Sequence, residues 1–268
     1  TYGNTRRASA SINYTEPLNK FSQMQINYSP SYNDGYSNKV TNDYDALVSQ
    51  YLDFNSALSN RYVNFYITQR GGWSYRYNKD KLRLNFGADV QEATLKGDQT
   101  YPTEFKVGQN FSSILPNAEM NYKITRSNNL RVNYRTNTNI PNMTQLQNVL
   151  DISNPLQVKT GNNSLKQTYE HNFSMRVGGF NIKTQKNIML FINGGITDNY
   201  ITNANYTIRR DTMIQNYLLK AGSQLSKPIN MNGYYNARAF VTYGFPIKAI
   251  KSNVNVNGGL NYSHAPAM

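Results

Sequence analysis

The chain has 268 residues and a net charge of +13, with 38% hydrophobic residues, 13% aromatic residues and no cysteine. The lack of cysteine excludes disulfides and thiolate metal sites. The basic residues are spread along strand-like runs rather than clustered, which is a poor match to a nucleic-acid surface, so no nucleic-acid partner is expected. No apolar run is long enough for a membrane-spanning helix, and the many aromatics favour strands with one apolar and one polar face.

Period-two alternation of apolar and polar residues predicts about eleven strands. Alternating segments of about ten residues, separated by turn residues, are typical of a transmembrane β-barrel. We therefore predict an all-β fold, an antiparallel up-and-down barrel domain over 1–268. Single-chain bacterial barrels have even strand numbers, so about eleven strands should not close a barrel alone. The predicted strands are 5–14, 21–32, 61–78, 81–95, 114–124, 130–137, 169–177, 188–196, 217–225, 235–243 and 254–262.

Successive side chains of a strand point to opposite faces, so the alternation assigns each residue a side. The apolar set should face lipid, and the polar set should face a wet lumen. The residues predicted to face lipid are Val63, Phe65, Ile67, Trp73, Leu84, Phe86, Met120, Val132, Tyr134, Phe173, Leu190 and Val241. Those predicted to face the lumen are Arg70, Arg76, Asn85, Asp89, Glu119, Asn121, Asn133, Arg135 and Arg238.

The hairpin at 61–95 predicts a specific ion pair. If Lys79-Asp80 is a two-residue turn, Arg70 lies directly opposite Asp89 on the polar face, close enough for contact. The same register sets Arg76 against Arg83, a repulsive pair that should separate, with Glu119 as an alternative partner. A second interpretation has Arg70 and Asp89 each facing water separately.

The connections fall into two sets, because barrels place short turns on the periplasmic side and long loops outside the cell. Tyr75, Tyr77 and Tyr122 precede short turns, where an aromatic girdle is expected. The predicted short connections are 14–20, 79–80, 126–129, 181–187 and 227–233. The predicted long ones are 33–60, 96–111, 141–167, 203–214 and 245–251. The pairs Gly71-Gly72 and Gly194-Gly195 inside strands predict a bulge or bend.

The stretch from Ile140 to His171 is the most distinctive connection. Pro141 and Pro155 remove backbone donors, so no central strand passes through them. Apolar residues at helical spacing predict a short helix after Pro141. A further set of apolar side chains should pack on neighbouring loops or a partner rather than remain exposed. That set is Leu146, Val149, Leu150, Ile152 and Leu156.

Catalytic and cofactor chemistry is not indicated by any motif. The two histidines, His171 and His264, are far apart in sequence and fit ordinary strand positions better than metal ligation. We therefore expect no catalytic residues, no cofactor, no metal site and no enzymatic activity.

Two segments contain short runs that recur in a known family. The runs are Pro141, Gln145-Leu146-Gln147, Asn154-Pro155-Leu156, Gly161-Asn162, Leu165-Lys166 and the turn Tyr14-Thr15-Glu16-Pro17-Leu18. In these runs the chain resembles the large outer-membrane barrels of Bacteroidota that are similar to TonB-dependent receptors. Three residues depart from that pattern, with Asn163 and Gln167 in place of proline and Thr168 in place of glutamate.

The resemblance implies a bacterial outer-membrane location and part of a barrel of about 22 strands, with a plug-like region before it. It also implies uptake of a bulky nutrient, with membrane lipid, lipopolysaccharide, an inner-membrane energy-transducing protein and a surface lipoprotein as partners. Two alternatives remain open. One is a structural or interaction barrel without transport, and the other is a soluble β-sandwich that binds carbohydrate.

Overall fold

The structure is a computed structural model that describes residues 2–45, 49–56, 59–101, 104–215 and 217–268. Strands dominate it, with one helical turn (α1, Met143–Leu146) and one 3₁₀ turn at Lys248–Ile250. No helix in these ranges is long and apolar enough to cross a membrane. The strands are β1 Tyr2–Ser9, β2 Ile12–Pro17, β3 Ser22–Lys39, β4 Asn42–Asp45, β5 Gln50–Phe54, β6 Asn60–Lys79, β7 Leu82–Tyr101, β8 Phe105–Lys123, β9 Asn128–Asn139, β10 Gln157–Lys159, β11 Thr168–Asn181, β12 Lys186–Asp198, β13 Tyr200–Thr207, β14 Thr212–Ile214, β15 Tyr217–Leu219, β16 Gln224–Met231, β17 Tyr234–Ile247 and β18 Ser252–His264.

Eleven of these strands form one antiparallel sheet, which is the number predicted, with the predicted strand 5–14 divided into β1 and β2. Its order is β1-β3-β6-β7-β8-β9-β11-β12-β17-β18, and β2 continues β1 along β3 in the same register. Within the described ranges β1 and β18 are the two edges and do not pair with each other, so the prediction of an unclosed barrel is confirmed. A sandwich needs two packed sheets, and this single sheet argues against that alternative.

One predicted strand does not belong to this sheet. The segment 217–225 was assigned to it, but Tyr217–Leu219 pairs only with β14, and Gln224–Met231 joins β10 and β13 in a separate three-stranded sheet. The predicted turn at 227–233 is therefore part of a long connection, 199–233. The apolar residues that suggested a strand, Leu219 and Leu225, instead pack in a small core with Val158 inside that connection.

Several strands are longer than predicted, because polar residues continue them beyond the apolar alternation. β3 extends to Lys39, and β7 and β8 run through most of the predicted loop at 96–111. β6 and β7 each have 20 residues, about twice what crossing a membrane requires. The connection 245–251 is also corrected: β17 runs to Ile247, and the 3₁₀ turn that follows lies at the short-turn end, level with the 182–185 turn.

The sheet has two chemically different faces. We call the face that carries Trp73, Phe86 and Tyr134 the aromatic face, and the face that carries Arg76, Arg135 and Arg238 the arginine face. Tracing the register from β3 to β18 places every residue predicted to face lipid on the aromatic face. The same registers place every residue predicted to face the lumen on the arginine face.

The main hydrophobic core lies on the arginine face, near the long connections. There Leu95 and Val107 of β7 and β8 pack against Met143, Leu146 and Leu165 of the 140–167 connection. Leu95 is 2% exposed and Leu146 is fully buried. The long-connection half of this face is thus covered by the chain itself, and the short-turn half is not.

The short helix after Pro141 is confirmed. Asn142 caps it, accepting a hydrogen bond from the Gln145 backbone, and the Gln145 side chain accepts one from the Asn142 backbone in return, which forms a capping box. The expectation that the apolar residues of this connection would be sheltered holds for Leu146 and for the half-buried Val149 and Leu150. It is wrong for Ile152 and Leu156, which are exposed.

Candidate functional site: the arginine face

Five of the predicted lumen residues lie in a single row across the sheet. Arg76 is opposite Asn85, which is opposite Glu119, which is opposite Asn133. The row continues through β11 and β12 to Arg238 on β17. Sequence alternation predicted the shared face but not the row, because the row depends on each inter-strand register.

Arg70 and Asp89 form the predicted ion pair, but not in the predicted register. The turn residues are Asp80-Lys81, since Lys79 pairs with Leu82, and Asp80 adopts a φ of +50°. Asp89 therefore lies opposite Gly72, and Arg70 reaches it diagonally, with Nε 2.8 Å from Oδ2. Long side chains span such diagonal neighbours. Because Arg70 is partly exposed, the pair contributes only about 1 kcal/mol.

Gly72 is a residue whose role the sequence did not reveal. A Cβ atom at this position would collide with the Asp89 carboxylate and with the Ala88 carbonyl oxygen. Of the predicted bulge or bend, the register excludes the bulge at Gly71-Gly72, because pairing continues through both residues on either side. The glycine instead leaves room for Asp89, whose other oxygen accepts a hydrogen bond from Asn27 at 3.1 Å.

Glu119 has a different partner from the one proposed from sequence. It pairs with Arg131 of β9 at 2.7 Å, again diagonally, because Arg131 lies opposite Asn121. Arg76 makes no ion pair or side-chain hydrogen bond within the ranges the structure describes. Arg76 and Arg83 are not directly opposed either, since Arg76 faces Asn85 and Arg83 faces Asn78.

The aromatic face carries two bands of rings. Tyr75, Tyr77 and Tyr122 lie near the short turns, as predicted for a girdle. A second band, near the long-connection ends of β11, β17 and β18, was not predicted as a set. Its members are Tyr169, His171, Tyr235 and His264, and Tyr134 and Tyr262 pack beside them. On β17 the rings of Tyr235 and Tyr243 bracket a stretch of about 26 Å along the strand. At the strand tilt of about 35–45° typical of such barrels, this stretch rises about 18–21 Å, which is somewhat less than the apolar band of about 25 Å.

The histidines belong to this second band. The Nδ1 atom of His171 lies 2.8 Å from the Tyr134 hydroxyl, and its Nε2 lies 3.5 Å from Asp198. His264 stacks on Tyr235. Among the described residues, no group of three or more acidic, histidine or cysteine side chains is placed to hold a metal ion.

The motif runs of the 140–167 connection bind to each other. The backbone of Gly161 donates to Gln147, and that of Asn162 donates to Gln145, at 2.8 and 2.6 Å. Asn162 also donates to Pro228 in the 199–233 connection at 3.0 Å. Gly161 is required because a Cβ there would collide with the Gln147 backbone. These contacts fix the connection over the long-connection half of the arginine face.

Solved structures share this fold at low sequence identity. A copper transporter, OprC, aligns with a TM-score of 0.63 and 10% identity over 92% of this chain and 36% of its own. The FrpB iron transporter from Neisseria meningitidis (F3-3 variant) gives 0.57 and 8% over 97% and 36%. The Serratia marcescens hemophore receptor HasR, solved as a double mutant with its hemophore HasA and heme, gives 0.56 and 10% over 96% and 41%. The chain thus spans about four tenths of each of these proteins.

The family assignment rests on nearly the whole chain. A search of curated protein sequences finds no match. The family model described as "Outer membrane protein beta-barrel family" matches residues 1–267. Together with the single antiparallel sheet and its two faces, this confirms the predicted resemblance and the outer-membrane location. The chain belongs to the outer membrane protein beta-barrel family.

Proposed function

We propose that this chain forms part of the wall of an outer-membrane transporter that takes up a bulky nutrient. The observation that carries the proposal is the separation of a mostly apolar, aromatic face from a mostly polar face in the short-turn half of nine neighbouring strands. The aromatic face suits lipid, and the arginine face suits a wet or plugged lumen. A protein that only anchors to the membrane needs the first face and has no use for the second.

The 140–167 connection supports transport by its position. It lies on the same face as Arg70 and Asp89 and packs on β7 and β8 through Leu95 and Val107. In a closed barrel a connection on that face narrows the lumen at the long-loop mouth, which we place outside the cell. Residues so placed can select what enters.

Uptake of a bulky solute against a gradient requires energy, so we propose coupling to an inner-membrane protein. A surface lipoprotein is a further proposed partner at the long-connection end. Lipid and lipopolysaccharide are the proposed neighbours of the aromatic face. We propose no enzymatic role, in line with the transporters and the receptor that share the fold.

Deletion of the gene in its own bacterium tests this function. Growth is measured on a panel of scarce nutrients, with a complemented strain as control. We expect a defect limited to one nutrient class. Deleting the energy-transducing partner should produce the same defect, and the double deletion should add nothing. Normal growth and uptake on every nutrient, with loss of a surface protein complex, would reject transport.

That second outcome corresponds to the alternative of a structural barrel. One observation favours it: the long-connection half of the arginine face is filled by the chain's own core, with Leu146 fully buried. A barrel whose lumen is closed at the long-connection end by its own core suits a structural role rather than transport. The growth experiment separates the two functions directly.

A further inference from the structure

Two arginines of the arginine face form ion pairs with the same diagonal geometry. Each reaches a carboxylate on the neighbouring strand that lies two residues before its directly opposed partner. Arg70 faces Gln91 and binds Asp89. Arg131 faces Asn121 and binds Glu119. The diagonal position is therefore where an arginine of this sheet meets its counter-charge.

Arg76 has a cation at that position. It faces Asn85, and the residue two before Asn85 is Arg83. Arg83 in turn lies opposite Asn121, the residue that faces Arg131. The three arginines thus lie on β6, β7 and β9, three of four neighbouring strands. Arg83 and Arg131 are two strands apart, so their Cα atoms are about 10 Å apart at a strand spacing of about 4.8 Å.

These three arginines line one cavity of about 840 Å³ at the short-turn end. Lys20, from the turn before β3, lines it as well. Four cationic side chains against one acidic side chain, Glu119, give the lining a charge of +3. Amides of Gln23, Asn85 and Asn121 supply further hydrogen-bond donors. Of the cations, Arg131 is paired with Glu119, and the Arg83 Nε donates to Asn78 at 3.2 Å.

We infer that this cavity binds a small solute with two or more anionic groups, carboxylates or phosphates. Its anions would occupy the counter-charge position that Asp89 and Glu119 occupy for the other arginines. Guanidinium groups bind carboxylate and phosphate through paired, charge-assisted hydrogen bonds. The volume is that of a small-molecule site rather than of a folded partner.

This inference rests on the proposed function in one respect: the short-turn half of the arginine face must line a lumen that solutes reach, rather than one that a plug fills. It does not require uptake or an energy source. Binding to purified protein therefore fails or succeeds independently of the growth experiment, and the two proposals are separable.

The test is calorimetric binding of citrate and of tripolyphosphate to the full-length protein purified in a non-ionic detergent at low salt. We expect saturable 1:1 binding of at least one probe that weakens as NaCl is raised, because salt screens the charges. Loss of one charge-assisted contact should weaken binding about tenfold, so we expect that from Arg76→Gln and from Arg83→Gln. Glu119→Gln should tighten binding, because it removes the opposing carboxylate and releases Arg131.

Arg238→Gln is the matched control. Arg238 lies in the same row of the same face as Arg76 but does not line the cavity, so binding should stay within about twofold of wild type. If Arg76→Gln and Arg238→Gln weakened probe binding equally, the probe would be binding to the positive charge of the whole face rather than to this cavity, and the inference would be overturned. Absence of probe binding in the folded protein would also overturn it. So would binding of a hexaglutamate peptide alone, which would assign the cavity to an acidic protein segment.

Discussion

The arginine face is polar and exposed at one end of the strands and apolar and buried at the other. Near the short turns this face carries exposed Arg76, Arg83 and Arg131 around a polar cavity. Near the long connections it carries Ala93 and Leu95, each 2% exposed, beneath the 140–167 connection. Side chains thus alternate between the same two faces along the whole strand. What packs against the arginine face changes along the strand, from a polar cavity to the chain's own hydrophobic core. The polarity of a residue alone therefore does not identify the side of the sheet that it faces.

The largest effect should come from the covered half. Leu146→Ala removes a fully buried side chain from the core with Leu95 and Met143. We expect a loss of about 2–5 kcal/mol in the stability of that core. Limited proteolysis of the full-length protein in detergent should then cut within 141–167 at lower protease concentrations. Leu156→Ala, at a 69% exposed position in the same connection, is the control. Equal sensitivity in both variants would mean that this core does not hold the connection.

Placing a charge on the aromatic face should lower the free energy of unfolding nearly as much as Leu146→Ala does. Leu190→Arg places a cation where we expect the middle of the bilayer, at about 2–4 kcal/mol in unfolding free energy. Asn193→Arg, on the arginine face of the same strand, should cost far less. Urea unfolding of the protein refolded into lipid vesicles measures both. If the arginine at 193 proved the more costly, the assignment of faces would be reversed.

The alternation in the sequence was sufficient to predict which face each residue lies on. It was not sufficient to predict where the strands end and turn. Val132 and Tyr134 alternate with Asn133 and Arg135, and β9 has these faces. The register of the first hairpin was wrong by a single turn residue, since Asp80 rather than Lys79 begins the turn. The Arg70–Asp89 pair formed nonetheless, because an arginine reaches a diagonal neighbour as well as an opposed one. Leu219 and Leu225 do belong to strands, β15 and β16, and only their tertiary partners show that these strands lie outside the main sheet.

Substitutions of the adjacent glycines of β6 test the packing around Asp89 on the arginine face, with a smaller expected loss of stability. Gly72→Ala should destabilise the protein by about 1–3 kcal/mol, because the new methyl group displaces Asp89 and strains the backbone. Gly71→Ala is the neighbouring control, since a Cβ there meets atoms only at ordinary contact distance, 3.7 Å and beyond. Urea midpoints of both variants give the comparison. A loss in Gly71→Ala as large as that in Gly72→Ala would contradict the role assigned to Gly72.

The smallest effect is a pH dependence in the 140–167 connection. The Ser153 hydroxyl donates to Asp151 at 2.6 Å and lowers its pKa, aided by the Ser153 backbone and Lys159, while burial opposes the shift. A lowered folded-state pKa adds stability above the unfolded value of about 3.9, and this is lost as pH falls through the folded pKa. Hydrogen exchange of 148–160 should accelerate there by less than about threefold. Asp151→Asn should exchange with no such pH step, and an unchanged step in that variant would assign it to another group.

The central claim is that the aromatic face meets lipid and the arginine face meets water. These 268 residues contain no cysteine, so a cysteine introduced among them is the only thiol of this segment. We would place them at four successive positions of β9 in the full-length protein in outer-membrane vesicles: Val132→Cys, Asn133→Cys, Tyr134→Cys and Arg135→Cys. A small charged methanethiosulfonate reagent should label positions 133 and 135, and a lipid-soluble maleimide should label 132 and 134. Reversed labelling, or uniform labelling at all four positions, would contradict the account.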